Sequence, residues 1–166
     1  MLVDDRGAVW VGHFQAGLDY SLYQNGLFRT YAYPPSFHSA NLSIRSFISR
    51  GQEKVIGSRD GLFYINEATG TVKSFVKPVL TSDLILTICF YEGEYYIGTY
   101  GGGMMVLNPE TLSLKYFAQG GDGDAELFQK GHIFCVKPDT KGNLWIGTSQ
   151  GLFSYCLLYT SDAADD

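Results

Sequence analysis

One short pattern recurs four times in this chain, and it limits the fold more than any other feature. The fullest copy reads Asp139-Thr140-Lys141-Gly142-Asn143-Leu144-Trp145-Ile146-Gly147-Thr148, followed by Gly151-Leu152-Phe153. The same frame returns as Asp4-Asp5-Arg6-Gly7-Ala8-Val9-Trp10-Val11-Gly12-His13, then Gly17-Leu18. A third copy is Tyr95-Tyr96-Ile97-Gly98-Thr99 with Gly101-Gly102-Gly103 behind it, and a fourth is Lys54-Val55-Ile56-Gly57-Ser58 with Gly61-Leu62-Phe63. The anchor glycines Gly12, Gly57, Gly98 and Gly147 stand 45, 41 and 49 residues apart.

Each unit divides into short runs rich in Val, Ile, Tyr, Phe, Trp and Thr, the composition of a pleated, well-buried surface. In the second unit these runs are residues 43–49, 54–58, 61–65 and 71–76. Turn residues separate them. In Asp-x-x-Gly, Asp bonds its own backbone and Gly takes positive φ. Residues 66–70 and 108–111 make a turn between the third and fourth runs. Four strands per unit at this period predict blades of a β-propeller. The expected fold is all-β: a β-propeller fragment of about three and a half four-stranded blades. Its repeats fall at about 1–35, 42–77, 83–118 and 131–155. Side chains alternate along a strand, so Trp145 is expected on one neighbouring blade and Ile146 on the other, with both tryptophans in inter-blade core. Gly147 and its equivalents are expected where backbones approach closely.

The repeat breaks off at Tyr155, and residues 156–166 continue no blade. Cys156-Leu157-Leu158-Tyr159-Thr160-Ser161-Asp162-Ala163-Ala164-Asp165 resembles the translation of a transposase-type sequencing adapter, so 156–166 is expected to be a non-native tail. Leu2-Val3 reads as the stub of a first strand. Without the tail's three aspartates, 14 acidic residues face 12 basic ones and the net charge moves from −5 to −2. Nothing in that near-neutral balance marks nucleic-acid contact. Cys89 and Cys135 are expected as small buried hydrophobes in the inner strands of neighbouring blades, and two cysteines do not fix a redox compartment.

The frame D-x-x-G-x-L/V-W-I/V-G-T followed by G-L-F resembles the two-component regulator propeller repeat. The likeness covers four units over residues 2–155 and is closest at 139–153 and 4–18. The second copy departs from it at Val55 and Ser58, and the third carries Tyr96 for Trp without a leading Asp. The resemblance implies a seven-bladed propeller in the extracytoplasmic, periplasmic sensor region of a Bacteroidetes hybrid two-component histidine kinase. It implies an oligosaccharide ligand, a downstream sandwich, membrane helix, kinase core, receiver and DNA-binding domain, and a possible homodimer. Signal perception leading to transcriptional control is the implied role, with no catalysis and no direct nucleic-acid contact in this segment.

The residues themselves show no catalytic constellation. His13, His38 and His132 lack metal-ligand spacing, and His13 is expected to close a strand. Gly101-Gly102-Gly103 has no helix after it and is no dinucleotide loop. Asp122-Gly123-Asp124-Ala125-Glu126 alternates carboxylates, but a calcium loop would place Gly and Glu where Leu127 and Ile133 stand. No catalytic residue, cofactor or metal is therefore expected. No helical periodicity and no apolar run long enough to span a membrane is visible.

Propeller geometry puts the turns between second and third strands on one face with the inter-blade connections. That face would carry Phe14, Gln15, Arg59, Asp60, Tyr100, Ser149 and Gln150, flanked by the stretches 33–41 and 120–131. Planar polar and aromatic groups of this kind suit a sugar. Two rival readings remain at this point. A protein-binding scaffold would show an exposed apolar patch; a polysaccharide-acting enzyme would need paired acid and base groups at the channel mouth.

Overall fold

The computed structural model describes residues 1–5, 7–13, 17–21, 28–31, 43–117 and 125–156. They form fifteen strands and one short helix among the described residues. The chain divides into two compact units, Met1–Ile85 and Leu86–Asp166.

The first unit holds two four-stranded sheets. One has the order β1 (Leu2–Val3), β2 (Val9–His13), β3 (Gly17–Ser21), β4 (Phe28–Tyr31). The other has β5 (Ile44–Arg50), β6 (Glu53–Ser58), β7 (Leu62–Asn66), β8 (Thr71–Phe75). Sequence neighbours are sheet neighbours throughout, as short hairpin turns dictate. The four strands read from the second repeat agree with β5–β8 to within a residue or two, and His13 closes β2. Trp10, Leu18 and Tyr20 of the first sheet, with Ala8 just before β2, share a core with Ile56 and Phe63 of the second. Trp10 stacks on Tyr20, ring centroids 4.8 Å apart, and meets Phe47 at 6.3 Å.

Lys54 is buried in this unit with its needs met. Its ammonium donates to the Gly51 carbonyl at 2.8 Å, pairs with Glu67 at 3.5 Å and lies 5.4 Å from the centre of the Trp10 ring. A buried ammonium is tolerated on those terms.

The second unit repeats the plan. Its first sheet has β9 (Ile85–Tyr91), β10 (Glu94–Thr99), β11 (Met104–Leu107) and β12 (Leu114–Tyr116); its second has β13 (Ile133–Pro138), β14 (Asn143–Thr148) and β15 (Gly151–Cys156). Tyr96, Met104, Val106 and Phe117 share a core with Val136, Leu144 and Ile146.

The leading Asp of the repeat has a wider role than its own turn. Asp4 accepts the Ala8 amide on one carboxylate oxygen and the Trp10 indole N–H on the other, both at 2.9 Å. Asp139 does the same for the Asn143 amide and the Trp145 indole, again at 2.9 Å. One carboxylate thus closes the hairpin and fixes the ring six residues on. The motif needs Asp and Trp together because the indole N–H would otherwise lack a partner when covered.

Several expectations are corrected. Trp145 is an exposed ring, while Trp10 is core. Its sheet has three strands among the described residues, and Leu152 beside it is also exposed. Cys135 is exposed; Cys89 is buried as expected, and both are free thiols. The stretch 120–131 contains a six-residue helix, α1 (Ala125–Lys130). Six residues are too few to show a period, yet Leu127 and Phe128 bury on one side of it. β15 runs one residue into the expected tail, with Cys156 paired to Asn143. Close approach holds at Gly98, where a Cβ would come within 2.6 Å of Thr87 Cγ2 and 2.7 Å of Ile133 Cγ2, and at Gly147, 2.6 Å from Cys135 Sγ. It does not hold at Gly12, where the nearest atom would lie at 3.5 Å.

Candidate functional site

The turns after the anchor glycines are built by the Thr or Ser of the repeat. The Ser58 hydroxyl donates to the Gly61 carbonyl and accepts the Asp60 amide, each at 3.0 Å. Thr99 repeats this with Gly103 at 2.9 Å and Gly102 at 3.1 Å, and Thr148 with Gly151 and Gln150 at 3.0 Å each. A serine does what a threonine does, so Ser58 is no real departure from the pattern. Each hydroxyl supplies a tight turn with partners that the strand ladder cannot offer.

Two of these turns are tied to the chain entering their own sheet. Arg59 N–H donates to the Ser43 carbonyl at 3.0 Å, just before β5; Ser149 N–H donates to the His132 carbonyl at 3.2 Å, just before β13. In the first unit this places Arg59, exposed, and Asp60, half-buried, beside the entry to β5.

In the second unit His132 is the hub. Tyr100 lies flat on the His132 ring, centroids 4.0 Å apart and planes 19° from parallel, and keeps half of its surface exposed. The turn carrying Tyr100 is anchored by the Gly103 amide on the Gly131 carbonyl at 2.9 Å. Gly103 has φ +68° and a Cβ there would collide with the Phe128 carbonyl, so only glycine closes this turn. Gly101 packs against the imidazole edge, a Cβ there coming within 3.6 Å of Cε1. Nδ1 of His132 is buried without a hydrogen-bond partner among the described residues. Nearby, Glu126, Leu127, Lys130, Gly131 and Gln150 line an open hollow of about 400 Å³.

Of the residues named from sequence, the structure brings Tyr100 and Ser149 together through His132, with Gln150 next in the chain. Arg59 and Asp60 form a separate turn in the first unit. Phe14, Gln15, His38, the stretch 33–41 and the acidic residues 122–124 lie outside the described residues, as do 157–166. His132 was missed as a site residue. Its signal was positional: it precedes an inner strand as Ser43 does, and faces the equivalent turn.

A larger hollow in the first unit, about 590 Å³, lies at the opposite end of those strands, between Leu2–Asp5 and the β5–β6 turn. It is a weaker site. Asp4 is committed to Ala8 and Trp10, and Arg50 stands 3.9 Å from Glu53. Among the described residues no three His, Cys, Asp or Glu side chains gather as a metal site, and no helix is long and apolar enough to cross a membrane.

Antiparallel sheets on this repeat define a stretch of β-propeller. The family model described as Two component regulator propeller matches residues 128–150, which include His132, Trp145 and Gly147. The chain is similar to the extracellular domain described as that of the hybrid two component system BT3049 from B. thetaiotaomicron. The two are 27% identical over 93% of this chain and 21% of that one, with a TM-score of 0.68. The extracellular domain of BT4673 from the same organism is 23% identical over 92% of this chain and 20% of that one, at a TM-score of 0.73. YCF48 bound to D1 peptide shares the fold at 12% identity and a TM-score of 0.63, covering 92% of this chain and 48% of that one. No curated protein matches the sequence. The chain spans about a fifth of the length of the two B. thetaiotaomicron domains.

Proposed function

We propose that this chain is part of the ligand-sensing propeller of a membrane-bound hybrid two component sensor, held on the periplasmic side, where it recognises an oligosaccharide and governs transcription through the rest of its parent. The observation that carries this reading is the likeness to an extracellular sensor domain across 93% of the chain, together with the matched repeat at 128–150. The sugar part rests on chemistry. Tyr100 offers a rigid, half-exposed ring whose far side is backed by His132. Such a face suits the C–H face of a pyranose, and the Gln150 amide and the Lys130 ammonium are suited to its hydroxyls. Arg59 and Asp60, on the equivalent turn of the first unit, form a separate candidate contact whose polar groups are likewise suited to sugar hydroxyls.

The test is titration calorimetry of the complete propeller, expressed from the parent reading frame, against a panel of plant and host oligosaccharides. Tyr100→Ala should weaken the best ligand at least tenfold, about 1.4 kcal/mol, with smaller losses for Gln150→Ala, Arg59→Ala and Asp60→Ala. Unchanged affinity in all four would move the site elsewhere. A panel with no binder at all would remove the oligosaccharide reading, and a parent frame without membrane helix and kinase core would remove the sensor-kinase reading.

A further inference from the structure

Two sheets, one in each unit, are interrupted near the start of their first strand. The β13–β14 ladder pairs Ile133 with Thr148 and then Cys135 with Gly147, which leaves Phe134 without a partner in a β-bulge. The β5–β6 ladder does the same: Ile44 and Ser46 are paired and Arg45 between them is left out. A bulge redirects one side chain, and bulges gather beside binding sites. Arg45 is exposed although Val55 and Leu62, in the same sheet, are wholly buried. Exposure at this register therefore belongs to the bulge and does not depend on how the rest of the sheet is covered.

An arginine at such a position is well served by water; a phenylalanine is not. Phe134 keeps 50% of its surface exposed, as Tyr100 does. Its ring leans on His132 with centroids 6.3 Å apart and planes at 35°, while Tyr100 lies on the same imidazole at 4.0 Å. Single exposed apolar side chains are ordinary, but two rings joined through a third make a patch. Backbone bonds hold this row. The Gly103 amide fixes the turn of Tyr100 to Gly131, and the Ser149 amide fixes the chain at His132.

We infer that Phe134 is a second stacking surface beside Tyr100, so that this seat selects a chain of at least two pyranose rings over a single sugar. The inference rests on the sugar reading proposed above. One ring of the chain lies on Tyr100 and its neighbour meets Phe134. Phe134 has no polar group, so it serves the apolar C–H face of a sugar and leaves the hydroxyls to other groups. Two weak contacts made by one molecule reinforce each other, because the second forms at high effective concentration once the first is made.

The experiment titrates the complete propeller with sugars of one, two and three units derived from cellulose, xylan, mannan, galactan and starch, followed by calorimetry and by the ring signals of carbon-13-labelled Phe and Tyr. In at least one series the two-unit sugar should bind at least tenfold more tightly than the single unit, and the ring signal that Phe134→Ala removes should move only with sugars of two units or more. Phe134→Ala should abolish the gain from the second unit, and Phe134→Trp should restore it. Should the alanine variant fail to fold, Phe134→Leu decides, since it keeps apolar bulk against His132 without a flat ring, and the gain should again be lost. The inference alone is overturned if Tyr100→Ala weakens the sugars while the Phe134 variants keep the full gain, for the Tyr100 seat then stands without a second surface. It is also overturned if Phe134→Ala weakens one-unit and two-unit sugars by the same factor, which is the mark of a structural role. Absence of binding in every series removes the sugar reading and this inference with it.

Discussion

Trp10 and Trp145 occupy the same position in the same motif, each held by the aspartate six residues earlier at 2.9 Å, yet one is core and the other faces solvent. The pair separates two layers of structure that a repeat sequence encodes together. The hairpin, the carboxylate that closes it and the indole N–H that answers it are local, and they form at both ends of the chain. Burial of the ring is not local. It depends on a neighbouring sheet, which Trp10 has in Phe47, Ile56 and Phe63.

The largest effect expected from this difference is on stability. Trp10→Ala should cost about 3–5 kcal/mol, the usual loss for a large core ring. Trp145→Ala should cost about 1 kcal/mol, the scale of one hydrogen bond. Urea unfolding of the two variants measures both, and similar losses would show that the rings are not in different environments.

Glycines provide a second contrast of intermediate size. Gly98→Ala drives a methyl group against Ile133 and Thr87, and should cost about 1–3 kcal/mol by overpacking. Gly12→Ala meets only Ile44 at an ordinary distance and should change stability by about 0.5 kcal/mol or less. A Gly12→Ala variant as damaged as Gly98→Ala would mean that the first repeat is packed as tightly as the third.

Acid titration tests the Asp–Trp unit at the exposed end. The Asn143 side-chain amide, the Asn143 backbone N–H and the Trp145 indole all donate to ionised Asp139 and hold its pKa below the usual carboxylate range. A depressed carboxylate adds stability that is fully present above its unfolded value, about 3.9. That contribution is lost as pH falls through the folded value. Melts from about pH 5 downward should therefore show a shallower acid slope for Asp139→Asn than for the unaltered chain. An identical slope would mean those bonds do not hold in solution.

The smallest effect is chemical. Burial pushes the Cys89 thiol up to about 11, while Cys135 is exposed. Iodoacetamide at mildly alkaline pH should modify Cys135 and spare Cys89 until the chain unfolds, as peptide mass mapping would show. Early alkylation of Cys89 would place it outside the core.

The strands were legible because their signals are short-range: alternation of apolar residues, turn residues at fixed offsets and a period that repeats. The helix Ala125–Lys130 was not, since six residues are too few to show a period and the buried pair Leu127 and Phe128 is adjacent in sequence. The candidate face was half legible. Tyr100, Ser149 and Gln150 follow from turn position, whereas His132 looked like a scattered histidine until β13 and the β14–β15 turn brought it beneath Tyr100.

By itself the sequence determined what depends on neighbours within a few residues: strand and turn order, the Asp that must accompany Trp, the Thr or Ser that must follow the anchor glycine. Tertiary structure alone decided which faces are covered, because burial is set by what arrives from a distant part of the chain. That is why Leu18 and Leu152, identical residues at one register, lie in core and in solvent.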